Sequence, residues 1–226
     1  FLVFVLIASL TAEAKVTLPA IFSDNMVLQQ NTQVNVWGKA APGEKVTVKA
    51  SWLDKPVTAK AAANGKWTVK LKTPKATTNQ SVTVSGENEI TINNVLIGEV
   101  WLCTGQSNME FPISRHPDVK WNTGMLNEAE ELKDADYPEI RLFHVKHQLA
   151  HEGELDDCEG EWLVCNPKNL YDFSAVGFVF GRKLYKELKM PVGLIQSTWG
   201  GTHAESWTKL DVMKKNPLYA DVLKDF

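Results

Sequence analysis

Ser107 is the residue of this sequence best suited to chemistry, because it follows a short apolar run at an abrupt change to polar residues. The run Val100–Cys103 (VWLC) is followed by Thr-Gly-Gln-Ser-Asn, with Ser107 as the serine. A serine in this position either caps a helix or acts as a nucleophile. A nucleophilic serine needs a base that takes its proton and hydrogen-bond donors that stabilise the oxyanion. The predicted chemistry is therefore acyl transfer.

A second polar turn, Ser197–Trp207 (STWGGTHAESW), follows the apolar run Val192–Gln196. Its glycines, Gly200 and Gly201, allow backbone N–H groups to approach a substrate closely, although a glycine pair can also form a simple tight turn. Ligands bind at the carboxyl ends of the strands in open α/β sheets. If both apolar runs are strands of one parallel sheet, the two turns are expected to converge on one pocket.

The apolar pattern after Gly98 predicts the strands and the helix that hold these two turns. Three short apolar runs are suited to strands buried on both faces: Val100–Cys103, Ile140–Val145 and Val192–Gln196. Residues 173–188 predict a helix with Asp172 or Ser174 as its cap. Its apolar residues share one stripe: Val176, Val179, Phe180, Leu184 and Leu188. This order predicts a parallel α/β domain over residues 98–226.

Residues 15–97 have a different pattern, in which apolar and polar side chains alternate with a period of two. Five segments show it: Gln33–Trp37, Lys45–Lys49, Lys66–Leu71, Ser81–Val84 and Ile90–Ile92. Alternation of this kind predicts half-buried strands. Asn64–Gly65 predicts a hairpin between the segments that flank it. Together the segments predict an antiparallel β-sandwich domain that precedes the α/β domain.

Composition excludes some classes of protein and indicates the compartment. The chain has 226 residues and a net charge of -3, without a basic stripe, so nucleic acid is not an expected partner. Residues 1–14 combine an apolar run with the small-x-small pattern of a signal peptidase site, which predicts export. Ten apolar residues are too few to span a bilayer, and no later segment is a candidate span. The first residue is not Met, and a helical pattern continues to residue 226, so we expect a piece of a longer protein.

The remaining reactive residues leave several alternatives open. Cys158 and Cys165 either form a disulfide or remain thiols, whereas Cys103 is expected to fill core volume. His144, His147 and His151 are spaced like metal ligands, but no neighbouring Cys or Asp completes a zinc pattern, and a solvated polar edge is the better interpretation. Trp121, Trp199 and Trp207 either stack on a sugar or belong to the core. His203 is a weak candidate for the base, since its closeness in sequence to a turn does not establish reach to Ser107.

Most of residues 18–208 resembles the sialate O-acetylesterase family, a branch of the SGNH hydrolases. Six blocks carry the resemblance in the family's order: LPAIFSDNMVLQQ, VNVWGKAAPGEKVTV, NGKWTV, VLIGEVWLCTGQSNMEF, DFSAVGFVFGRKLYKEL and PVGLIQSTWGGTHAESW. The resemblance implies an SGNH-type α/β esterase domain preceded by a sandwich. It also implies an exported serine esterase that removes O-acetyl groups from sialic acid or related sugars.

In that family Ser107 would attack the acetyl carbonyl and form an acyl-enzyme, without a metal or other cofactor. The Ser107 amide is the best-placed oxyanion donor. Weaker candidates for binding the oxyanion or substrate are Gln106, Asn108, Gly200, Gly201 and Glu205. The family's base, a histidine, lies in a later block that this sequence does not contain. The alternatives are an acetylxylan-type esterase, a carbohydrate-binding sandwich with a relic esterase domain, or a structural sandwich.

Overall fold

The structure is a computed structural model that describes residues 15–118, 124–150 and 153–224. The predicted signal peptide, residues 1–14, lies outside the described residues, as do Trp121 and His151. Among the helices of the described part, none is long and apolar enough to cross a membrane.

The described residues form ten strands and five short or medium α-helices. The strands are β1 (Val27–Gln29), β2 (Gln33–Lys39), β3 (Lys45–Ala50), β4 (Val57–Lys60), β5 (Lys66–Lys72), β6 (Thr77–Ser85), β7 (Glu89–Gly105), β8 (Tyr137–His144), β9 (Trp162–Cys165) and β10 (Val192–Thr198). The helices are α1 (Ser107–Glu110), α2 (Glu128–Lys133), α3 (Pro167–Leu170), α4 (Ala175–Leu188) and α5 (Leu210–Lys214). Three 3-10 turns lie near the end: Ala204–Trp207, Pro217–Tyr219 and Val222–Lys224.

The five strands predicted in residues 15–97 are present, as β2, β3, β5, β6 and the first part of β7. They form two antiparallel groups, β4-β3-β6-β7 and β2-β5. The alternation buries one face of each strand, as predicted. One apolar core between the groups contains Val46 and Val48 of β3 and Trp67 and Leu71 of β5. The same core also includes Phe143 of β8, so it extends into the α/β part. That residues 15–97 constitute a separate sandwich domain stays a prediction.

The hairpin predicted at Asn64–Gly65 is wrong, although a turn does form there. Gly65 adopts φ +75°, and the Ala62 amide donates to the Lys66 carbonyl at 2.9 Å. The flanking strands, however, belong to different groups, since β4 pairs with β3 and β5 pairs with β2. The turn therefore carries the chain from one group to the other, which local sequence does not distinguish from a hairpin.

Strand β7 runs without interruption through both parts of the chain and changes partners near Gly98. Its first half pairs with β6, and its residues 96–98 pair with β1, whereas residues 99–105 pair with β10. At the change, Gly98 lies against the backbone of Pro191, where a Cβ atom would be 2.7 Å from the Pro191 carbonyl carbon. The expected boundary near Gly98 is thus a change of partners within one strand.

The second part is a mixed sheet with mostly parallel central strands and few helices. Its order is β7-β10-β8-β9; β10 is parallel to both β7 and β8, and β9 is antiparallel to β8. The three predicted apolar runs are thus confirmed as strands. Arg141 of β8 is buried and ties the parts together, since its guanidinium donates to the side-chain oxygen of Asn25 at 3.0 Å.

Helix α4 confirms the predicted helix, and the Ser174 hydroxyl caps it by accepting from the Gly177 amide at 3.0 Å. Most of the predicted apolar stripe faces outward, and of its residues Leu184 packs against the core. The side facing the sheet presents Phe178 and two glycines, with Gly177 against Cys103 and Gly181 against Leu194. Glycines let the helix approach the strands closely, so the large residues Val176, Val179 and Phe180 remain exposed.

The expectation that residues 100–103 are buried on both faces is also wrong. Trp101 is 42% exposed, and its ring meets Phe180 at 5.0 Å between centroids; Leu102, on the opposite face, is 62% exposed. Within the described residues the strand segment 99–105 pairs on one side alone, with β10. An apolar surface therefore lies along this edge of the sheet.

All three cysteines are free thiols in the structure. Cys103 is buried in the core beneath α4, as predicted, and Cys165 is buried as well. Burial raises the pKa of the Cys165 thiol to about 12, so this group stays protonated at neutral pH.

Replacement of Gly98 by alanine should destabilise the whole chain, because the new methyl group meets the Pro191 backbone. We expect a loss of about 1–3 kcal/mol in the free energy of unfolding, measured by urea denaturation. Thr91→Ala is the control, since Thr91 is exposed on the same strand. Equal stability of Gly98→Ala and the parent would contradict the tight approach at this point.

Replacement of Leu102 by lysine should reduce binding of the dye ANS and self-association of residues 15–224, because it removes an exposed apolar side chain from the open edge. Thr104→Lys is the matched control: it adds the same charge on the same face of β7, two residues along, without removing apolar surface. Equal reductions by both variants would show that charge, and not the apolar edge, controls association.

Candidate active site

Ser107 lies at the junction between β7 and α1, at the carboxyl end of a parallel strand as predicted. Strand β7 ends at Gly105, whose φ of +147° turns the chain, and Ser107 is the first residue of α1. Helix α1 has no side-chain cap bond. The Ser107 hydroxyl is exposed, and its one side-chain neighbour is Gln106 Oε1 at 3.4 Å. The helix-cap alternative is therefore not realised, and the hydroxyl is free to react.

An open depression of about 490 Å³ lies in front of the Ser107 hydroxyl. It is lined by Gly105, Gln106, Ser107, Asn108, Met109 and Val176. Two of the predicted substrate-contacting residues, Gln106 and Asn108, are exposed in this depression. The structure therefore gives both amide side chains access to a group bound at Ser107.

The structure brings the two polar turns together. Thr198, the last residue of β10, is in register with Gly105, and the Trp199 amide donates to the Gly105 carbonyl at 3.1 Å. Gly200 comes next and lies so close that a Cβ atom there would be 3.4 Å from Ser107 Oγ. The convergence follows from the parallel pairing of β7 and β10.

Glu110, which the sequence analysis did not single out, contacts the glycine turn directly. Its Oε2 atom accepts from the Gly200 amide at 2.5 Å. That amide, one of the predicted oxyanion donors, is thus already engaged. Gly201 is exposed with φ +77°, and a Cβ atom there would meet nothing within 4 Å. The spacing of Ser107 and Glu110, three residues apart on a helix, is the signal that could have identified Glu110.

His147 is exposed, as the interpretation of a solvated edge expects, but it also contacts the residues around Ser107. Its Nε2 atom is 2.9 Å from Glu110 Oε1 and 2.8 Å from the Thr198 carbonyl oxygen. Both partners are acceptors, so Nε2 carries the proton and donates. The imidazole ring stacks on the Trp199 indole, with centroids 4.2 Å apart and planes 5° apart. Neighbouring His144 has a lowered pKa, chiefly because it is buried and secondly because of His147.

In the described part of the chain, no histidine hydrogen-bonds to Ser107. His116 Nε2 contacts Asp172 Oδ1 at 2.6 Å, and His147 Nε2 donates to the Thr198 carbonyl at 2.8 Å. His203 and Glu205 line a different cavity of about 380 Å³, together with Ser206, Met213 and Val222. The structure therefore does not bring Glu205, a predicted substrate contact, into the depression at Ser107. Within the same described residues, no three His, Cys, Asp or Glu side chains are grouped to hold a metal ion.

A second cleft, of about 230 Å³, lies on the other side of the Trp199 turn. Its lining is Val145, Lys146, His147, Gln148, Ser197, Thr198, Trp199, Thr202, Ser206 and Trp207. Trp207 is partly exposed, and its indole N–H donates to Thr202 Oγ1 at 2.8 Å, which in turn donates to the Trp199 carbonyl. Two indoles and several polar groups thus line one small cleft beside the Ser107 site.

Comparison with known proteins reveals similarity along most of the chain. It is 34% identical over 215 residues to the sialate O-acetylesterase of Mus musculus, covering 86% of this chain and 38% of that protein. It is 33% identical over 205 residues to the sialate O-acetylesterase of Homo sapiens, covering 82% of this chain and 37% of that protein. No family model matches the chain.

Among solved structures, the chain resembles a carbohydrate acetylesterase from Xanthomonas citri. The TM-score is 0.78 at 31% sequence identity, and the alignment covers 88% of this chain and 43% of that one. The chain thus spans less than half the length of the proteins to which it is similar. Over most of its own length, the resemblance to the sialate O-acetylesterase family that the blocks around Ser107 indicated is confirmed.

Proposed function

We propose that this chain carries the nucleophile of a serine esterase that removes O-acetyl groups from carbohydrates. The observation that supports this most directly is the exposed Ser107 hydroxyl, which lies at the carboxyl end of a parallel strand and beside the Gly200 turn. The relatives' names point to the same reaction, since they are sialate O-acetylesterases and a carbohydrate acetylesterase. A relic that only binds sugar has no need of an exposed serine hydroxyl at this position.

In the proposed mechanism, Ser107 Oγ attacks the acetyl carbonyl while a base takes its proton. The resulting oxyanion accepts a hydrogen bond from the Ser107 amide, with Gln106 or Asn108 as side-chain donors from the same depression. Collapse of this intermediate expels the sugar hydroxyl and leaves an acetyl ester on Ser107, which water then hydrolyses. Each step is ordinary acyl transfer.

More specifically, we propose that the substrate is an O-acetylated sialic acid or a related sugar. The cleft lined by Trp199 and Trp207 supports a sugar in general, because indole rings stack on the apolar faces of pyranoses while polar groups bind their hydroxyls. Sialic acid itself is inferred from the relatives' names.

The base is proposed to come from a segment outside this sequence. In the described residues His116 and His147 are engaged by other acceptors, and His203 lines a different cavity. The family resemblance places a histidine in a later block. The described residues therefore supply the nucleophile, and the proton acceptor is proposed to lie in the later histidine block.

Export and a separate sandwich domain complete the proposal. Residues 1–14 have the composition of a secretory signal, which supports export. Residues 15–97 would then act as a support for the esterase part, a role that fits the apolar core shared with Phe143.

Ser107→Ala should abolish hydrolysis of p-nitrophenyl acetate in a protein that carries this chain together with the family's later histidine block. Loss of a nucleophile removes several orders of magnitude in rate. Circular dichroism should be unchanged, because the exposed hydroxyl makes no cap bond. Ser85→Ala, at the end of β6, is the control. Equal turnover by Ser107→Ala and the parent would refute the assignment.

Residues 15–226 alone should show at most trace esterase activity toward the same ester. Without a base the Ser107 hydroxyl stays protonated at neutral pH, so acylation is slow. Some rate above that in water is expected from oxyanion stabilisation alone. Turnover at the rate of the longer protein would instead place the base within these residues.

A further inference from the structure

Glu110 contacts both the Gly200 turn and His147. Its Oε2 accepts from the Gly200 amide at 2.5 Å, and its Oε1 lies 2.9 Å from His147 Nε2, a contact that is an ion pair when the imidazole is protonated. The side chain is only 20% exposed. Partial burial weakens screening by water, so both contacts of the carboxylate are stronger than they would be on the surface.

Glu110, Gly200 and His147 lie in three segments that all leave the same edge of the sheet. Helix α1 follows β7, the Gly200 turn follows β10, and His147 follows β8. These are the three parallel strands of the sheet, in the order β7-β10-β8. One carboxylate therefore cross-links the carboxyl ends of all three strands, at the position where Ser107 is presented.

The cross-link also orders the aromatic cleft. His147 is held by Glu110 on one side and donates to the Thr198 carbonyl, while its ring stacks on Trp199. A carboxylate suits this position because each of its oxygens faces a nitrogen that carries a proton, the Gly200 amide or His147 Nε2. A neutral amide offers a single oxygen, so it can preserve at most one of the two contacts.

We propose that Glu110 is a positioning residue that fixes the Gly200 turn and the His147–Trp199 stack relative to Ser107. Because Glu110 already accepts from the Gly200 amide, the Ser107 amide makes the backbone contact with the oxyanion and the Gly200 amide does not. The catalytic part of this inference rests on the proposed esterase function. The cross-link itself does not, and it can be measured separately.

The variants are Glu110→Ala, Glu110→Gln and a matched control, Glu131→Ala. Glu131 is also a largely buried carboxylate, but it is bonded to Arg182 and does not contact the Ser107 site. The first measurement is amide hydrogen exchange by NMR on residues 15–226. Glu110→Ala should speed exchange of the Gly200 amide and of the His147 Nε2 proton by on the order of tenfold. Glu110→Gln should preserve protection at one of the two at most, and Glu131→Ala should change neither.

The second measurement is hydrolysis of p-nitrophenyl acetate in the longer, active protein. Glu110→Ala should lower kcat by on the order of tenfold with little change in KM, and Glu110→Gln should recover part of that loss. The pH profile should keep its shape, because Glu110 transfers no proton. A kcat unchanged in Glu110→Ala, or a lost limb of the pH profile, would overturn the positioning role.

The two measurements separate the two proposals. Unchanged exchange at Gly200 in Glu110→Ala would overturn the cross-link whatever the activity. If the longer parent hydrolyses no acetyl ester, the esterase function fails, while the exchange data still decide whether Glu110 fixes the turns. Accelerated exchange with a tenfold loss of kcat would support both.

Discussion

The structure depends on the continuity of strand β7 across its change of partners. One stretch of 17 residues pairs with β6 and β1 in its first part and with β10 in its last seven residues. Because a single strand cannot bend freely between its ladders, the antiparallel groups and the parallel sheet have a fixed relation. The close approach of Gly98 and Pro191 and the buried Arg141 reinforce that relation.

The position of Ser107 is a direct consequence of this strand. Parallel pairing in register aligns Gly105 with Thr198, so the residues that follow β7 and β10 emerge side by side. The Trp199–Gly105 hydrogen bond extends the ladder by one step and leaves Gly200 next to the Ser107 hydroxyl. The placement of Ser107 beside Gly200 thus requires only the correct register between these two strands.

The sequence was sufficient to predict what depends on local pattern and on the ends of parallel strands. The period-two strands, helix α4 with its Ser174 cap, and the convergence of the two turns were all predictable in this way. The hairpin at Asn64–Gly65 was not, because a turn has the same local form whether its strands pair with each other or with others. The outward stripe of α4 was missed because Gly177 and Gly181 form the packed face, and apolar periodicity does not register glycine. The contact between Glu110 and His147 required the fold, since the two residues are far apart in sequence and meet only across three strands.

A carboxylate three residues from a nucleophile is a disadvantage for acyl transfer unless its charge is directed elsewhere, because an oxyanion developing nearby would be repelled. In this structure Glu110 Oε2 accepts from the Gly200 amide, and Oε1 lies 2.9 Å from His147 Nε2. The charge is therefore partly neutralised by these two contacts with the neighbouring strand ends. The glycine at residue 200 fits this geometry, because a Cβ atom there would lie 2.5 Å from Glu110 Oε2. A side chain there would displace the carboxylate from the position in which its negative charge is compatible with a nucleophilic serine.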